Sequence, residues 1–182
     1  MPAITIPCHA AKSGDDAQAA GLVYLNALLA QNAEGYANLM RLSSAAFLDV
    51  GPQDEPHVPF ARVLANAEGL IALSGGGAGP MTALLEQGRQ DIAEAWLKRI
   101  AAGFSDRLYV ELHRHGERAE ADSEGFLVDS AYKLGLPLVA ANDIRFKAQA
   151  DHVAHDALMC IAASSYLGEE GRPRVSDQHY FK

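Results

Sequence analysis

Along this chain, short apolar runs alternate with longer stretches in which apolar residues recur every three or four positions. The runs are 3–7 (AITIP), 22–30 (LVYLNALLA), 69–74 (GLIALS), 107–113 (RLYVELH) and 137–141 (PLVAA), each bounded by Gly, Pro, Asn or Asp. Runs of this length and bounding read as buried strands. Between them, 81–102 sets Leu84, Leu85, Ile92, Trp96, Leu97 and Ile100 on one helical face, interrupted only by Gly88. Over 120–134, Phe126, Leu127, Ala131 and Leu134 share a side, and Gly135 supplies a natural C-terminal cap. Further helices are expected over 33–47 and 150–163. This alternation, with short connections, predicts an α/β fold with mostly parallel strands and helices outside. No repeat or low-complexity linker divides the chain, and its one notable proline-bearing loop is 51–59 (GPQDEPHVP), so a single unit is expected.

Composition then narrows the partners. A chain of 182 residues can bury a core without disulfides, and 49% hydrophobic with 21% charged residues is the balance of an ordinary globule. Lys plus Arg number 15 against 23 Asp plus Glu, a formal charge of −8. A domain that grips a phosphate backbone needs the opposite excess, so any nucleic-acid role is expected to be indirect. Cys8 and Cys160 share no C-x-x-C spacing, which fits a reducing compartment and gives no zinc-finger signal. Neither an apolar run of about 18 residues nor a charged-then-apolar leader occurs, so no membrane span or signal peptide is expected, and a cytoplasmic location is. The opening MPAITIPC enters a strand-like run at once and reads as a start within a longer protein. The end, 168–182 (GEEGRPRVSDQHYFK), carries no core pattern and reads as a surface extension leading onward from a domain over 1–167.

Candidate chemistry centres on RLYVELHRHGE, residues 107–117. His113 and His115 lie two positions apart, a spacing that puts both rings on one face of a strand and raises the question of a metal site. Taken singly, His113 reads as a polar strand or loop residue. His155, in AHDALMCI, reads as a helix residue bonded to backbone or carboxylate. His9, His57, His152 and His179 have no partner spacing and read as surface. LSGGGAGP lacks the Lys and Ser/Thr of a phosphate loop and reads as a turn into the helix from Met81. No Gly-x-Ser-x-Gly elbow is present. Both cysteines read as small buried residues, and Trp96 and Tyr109 as core.

Four ordered blocks resemble one family. LLAQNAEGYANLMRLSSAAFL matches its Gln-Asn and Gly-Tyr-x-Asn-Leu segment, AEGLIALSGGGAGP its strand and glycine turn, and DRLYVELHRHGE its Glu-Leu-x-x-His-Gly strand end. The last block, LGLPLVAANDIRFKAQADHVAHDALMCI, matches a strand ending in Asn-Asp-x-His/Arg followed by an Ala-His-x-x-Leu-x-Cys-Ile helix. The family is the polymerase and histidinol phosphatase (PHP) domain that begins the α subunit of bacterial DNA polymerase III.

The resemblance implies a distorted seven-stranded α/β barrel, of which this chain holds a part that lacks the first strands. It implies a parent protein that synthesises DNA with magnesium-dependent aspartates lying beyond this chain. In some members the PHP domain binds metal ions and hydrolyses phosphoesters. In others the site has decayed, and the domain braces the polymerase and docks a proofreading exonuclease. His115 matches a strand-end metal ligand and Asp143 another site position. Arg145 stands where metal-binding members carry His, and Gly76 and Pro80 where they tend to carry Cys and Glu. A guanidinium has no lone pair to offer a cation, so the expectation is a vestigial site of His115, Asp143 and Arg145 with no catalytic residue and no cofactor, Arg145 pairing with Asp143. The alternative is a Zn- or Mn-dependent phosphoesterase in which His115 and Asp143 join ligands outside the chain. Expected partners are the rest of the α subunit and the exonuclease subunit, with DNA reached only indirectly and no membrane. An open sheet edge also suggests a homodimer of the fragment.

Overall fold

A computed structural model describes residues 3–9, 22–51, 53 and 56–182, with backbone only for 3–9 and 22–26. Strands β1 (Ala3–His9), β2 (Leu22–Ala30), β3 (Val58–Pro59), β4 (Leu70–Leu73), β5 (Leu108–Leu112) and β6 (Leu138–Ala140) form one sheet in the order β3-β1-β2-β4-β5-β6. All five apolar runs are strands. The sheet is mixed: β3–β1, β4–β5 and β5–β6 pair in parallel, whereas β2 runs against both β1 and β4. Among the described residues β3 and β6 are edge strands, and no pairing joins them into the expected barrel.

The helices are α1 (Ala33–Leu48), α2 (Phe60–Ala65), α3 (Pro80–Glu86), α4 (Gln90–Phe104), α5 (Arg118–Leu134) and α6 (His152–Ala162). The single helix expected over 81–102 is two. Gly88 sits at φ +70°, a left-handed conformation that ends α3 before α4 begins. The apolar stripe survives the break, because Ala93, Trp96, Leu97, Ile100 and Phe104 of α4 recur at helical spacing and are all buried. Trp96 meets Phe60 edge-on, with ring centroids 4.9 Å apart. Phe60 opens α2, a helix the apolar pattern does not predict, just after the two-residue β3.

The core is continuous from Leu28 through Leu39, Leu42, Leu70 and Met81 to Leu108, Val110 and Leu127. Trp96 belongs to it, while Tyr109 is half-buried. Cys160 is a buried free thiol; the Cys8 and His9 side chains lie outside the described residues. No helix among the described residues is long and apolar enough to cross a membrane.

The larger departure from expectation is at the chain's end. Part of 168–182 returns to the C-terminal ends of β5 and β6. Phe146 and Tyr180 form a parallel β-bridge, and the backbone N–H of Arg145 donates to the His179 carbonyl at 2.8 Å. Arg172 makes two 2.5 Å contacts to Asp156 of α6. This return brings residues 176–180 over the segment that carries His115.

Candidate metal centre

β5 is where the site begins. Glu111 is a carboxylate inside an apolar strand, 6% exposed, and a charge so placed has to be paired. It accepts from the Gly75 backbone N–H at 3.1 Å and its other oxygen lies 3.1 Å from His113 Nε2, while its own N–H donates to Ser74 Oγ at 2.9 Å. Glu111 thereby staples the end of β5 to the turn after β4. Its carboxylate, through the hydrogen bond first and its charge second, holds the His113 pKa above the usual imidazole value against the opposing pull of burial.

Past β5 the chain leaves strand geometry, yet the two rings stay together: His113 and His115 are 5.4 Å apart between centroids. His115 is 1% exposed and held on every side. Its N–H donates to Glu120 Oε2 at 2.6 Å, and Nδ1 lies 2.6 Å from Glu120 Oε1. Nε2 lies 2.8 Å from Asn142 Oδ1, and the carbonyl accepts from Ser176 Oγ at 2.5 Å. One ring face is stacked on His179, with centroids 3.9 Å apart and planes within 9°.

Glu120 is available because α5 starts where it does. Glu117 is the N-cap and Glu120 the third helical residue, and the two close a reciprocal capping box. Glu120 heads the buried face of α5, followed by Ser123, Leu127, Ser130 and Ala131. Burial pushes its carboxyl upward, but the hydrogen bonds from the His115 ring, His115 N–H and Glu117 N–H outweigh that, and its pKa falls below the ordinary value.

Asn142 and Asp143 extend from the end of β6. Asn142 Nδ2 donates to the Tyr180 carbonyl at 2.9 Å, which fixes the amide so that its oxygen faces His115. Asp143 pairs with Arg145, at 2.9 Å to Nε and 2.7 Å to the NH2 nitrogen. His179 is buried, not on the surface, because the chain end folds back here; its Nδ1 donates to the Asp143 carbonyl at 2.8 Å. His152 is likewise half-buried, with Nε2 3.0 Å from the Val175 carbonyl. His155 differs from its reading too: its buried Nδ1 has no partner, and the ring rests on Phe146 at 5.4 Å. His57 is half-buried. A shallow pocket of about 450 Å³ opens beside His115, lined by Leu112, Arg114, Ala140, Ala141, Asn142 and Lys182.

The PHP domain model matches residues 12–115. The chain belongs to the PHP domain family. This PHP domain is 48% identical over 155 residues to the DNA polymerase III subunit alpha of Caulobacter vibrioides, covering 85% of the chain and 14% of that relative. The same subunit of Treponema pallidum is 38% identical over 157 residues, again 85% of the chain and 13% of the relative. An error-prone DNA polymerase of Symbiobacterium thermophilum is 33% identical over 171 residues, with 85% and 16% covered. The chain therefore spans about a seventh of the length of these relatives.

Whether the PHP domain's residues fit a metal ion turns on their lone pairs. His113, His115 and Glu120 bring one ligand atom each within 4.8 Å of one another, the one such group among the described residues. His113 Nε2, both His115 ring nitrogens and Glu120 Oε1 already serve a hydrogen bond or ion pair, and Asp143 pairs with Arg145. Gly76 adds a steric sign: a Cβ there would lie 2.7 Å from His113 Nδ1, so the His113 ring fills the space that a side chain at 76 needs. As arranged, the His115 and Glu120 donors are turned toward one another and toward Asn142, so an ion at this group requires them to part.

Of these residues, His115, Asp143 and Arg145 were named from the sequence, whereas His113, taken there for a plain polar residue, is paired with Glu111 beside His115. Glu111 carried a usable signal, a charged residue within LYVEL. Glu120 carried a weaker one, lying three residues after the helix cap. Asn142 was visible only as part of the turn, and His179 gave no local signal.

Proposed function

We propose that this chain is the PHP module of a replicative DNA polymerase III alpha subunit and acts there as a non-catalytic scaffold with a degraded metal site. The observation that carries the reading is the ion pair of Arg145 with Asp143, a fixed cation on the carboxylate that the resemblance assigns to the metal site. DNA synthesis belongs, on this reading, to magnesium-dependent parts of the longer chain. The module's own work is to brace those parts and dock a proofreading exonuclease subunit in the cytoplasm. Its net charge of −8 supports contact with protein over direct contact with DNA.

A second reading, a Zn- or Mn-dependent phosphoesterase, is favoured by the convergence of His113, His115 and Glu120. Incubating the purified protein with a phosphodiester and Mn²⁺ or Zn²⁺ separates the two. The scaffold gives no turnover. Turnover that His115→Ala abolishes would establish the enzyme.

A further inference from the structure

The segment Ser176–Tyr180 does more at the mouth than cover it. It touches His115 directly twice and indirectly once. Ser176 Oγ donates to the His115 carbonyl, and the His179 ring lies flat on the imidazole. The Tyr180 carbonyl orients Asn142, whose oxygen then meets Nε2. The segment is itself anchored elsewhere: the Ser176 N–H donates to Glu117 Oε1 at 2.9 Å, and His179 Nδ1 to the Asp143 carbonyl.

These contacts bear on where an ion could sit. Zinc bonds to nitrogen and oxygen are about 2.0–2.2 Å, so two donors on one ion stand roughly 3 Å or more apart. His115 Nδ1 and Glu120 Oε1 are only 2.6 Å apart, too close to share an ion. Separating them means shifting the Glu120 carboxylate, which is buried and bonded to the backbone N–H groups of His115 and Glu117, or shifting the ring. The ring can slide only by leaving the His179 stack, and its backbone is held by Ser176. Nε2 offers no way round, since Asn142 Oδ1 occupies its direction while Tyr180 holds the amide.

We infer that the docked Ser176–Tyr180 strap and a divalent metal ion at His113, His115 and Glu120 exclude one another, so that the ion binds tightly only when the strap is released. The inference rests on the reading of this mouth as a hydrogen-bonded site. It makes His179 and Ser176 positioning residues that act through His115. The strap thereby ties the ends of β5 and β6 to the start of α5.

The test uses the 182-residue protein and Zn²⁺ alone, with calorimetry for binding and amide hydrogen exchange for the strap. The wild type should show protected amides over 176–181 and weak zinc binding. Ser176→Ala/His179→Ala should speed exchange over 176–181 and tighten zinc binding at least tenfold, with circular dichroism confirming a folded chain. Saturating zinc should likewise expose the wild-type strap. If the released variant binds zinc no better, the exclusion is wrong and the metal-free reading stands. If the wild type binds zinc tightly and its strap opens, the exclusion holds and the metal-free reading fails. Tight binding with the strap still protected overturns both. Unchanged strap protection in the double variant also overturns the inference, because the named contacts would not then be what holds the strap.

Discussion

Glu120 serves two structures with one carboxylate, closing the capping box of α5 and pairing with His115. Replacing it by Ala leaves a buried imidazole and two backbone N–H groups short of a partner, and should cost about 3 kcal/mol in urea unfolding. Its pH behaviour has a definite sign. Because the folded pKa lies below the ordinary 4.5, Glu120 contributes full stability above that value and loses the contribution as pH falls through its depressed one. His113 works the other way. With its pKa raised above 6.5, its contribution is complete below that value and disappears as pH rises through the raised one. Unfolding measured across the pH range should therefore lose its acid limb's steepness in Glu120→Gln and its alkaline decline in His113→Gln. The Arg145–Asp143 pair is about half exposed, so Arg145→Ala should cost no more than about 1 kcal/mol. What the sequence disclosed at this scale was whatever sat in a local pattern. Glu111 and Glu120 act through partners that spacing alone does not specify, and His179 finds His115 only through tertiary return.

The elements were the most legible part of the chain. Each strand run became a strand because short, bounded, apolar segments are too brief to form a helix of their own; burial did not decide it everywhere, since β6 is largely exposed. Their direction was less legible, since the apolar pattern of a strand is silent on whether its neighbour runs parallel. β2 is the result, antiparallel on both sides. β3 and α2 escaped because two strand residues and six helical ones are too few to show a period, although Phe60 and Val63 are buried. Gly88 was visible as an interruption, and its left-handed φ makes it the end of a helix. Nothing lies within 4 Å of the position its Cβ would take, so Gly88→Ala should cost only the conformational term, roughly 1–2 kcal/mol, in urea unfolding.

At the scale of the whole molecule, the sequence conveyed the family better than the shape. Four motif blocks sufficed for the resemblance, and the match to residues 12–115 bears it out. The return of 176–180 was hidden because its contact with His115 joins residues 61 apart, without any apolar period to announce it. Edge strands β3 and β6 present unpaired backbone among the described residues, and dimerisation through an edge is the proposed consequence. Light scattering should then return a dimer; a monomer at all concentrations would remove that proposal. The central claim is that hydrogen bonds and an arginine have taken the place of ions at this PHP mouth. Equilibrium dialysis of the purified protein against Zn²⁺ or Mn²⁺, followed by elemental analysis, tests it most directly. The account predicts well under one bound ion per chain, unchanged by His115→Ala. One or more ions per chain, lost in His115→Ala, would contradict it.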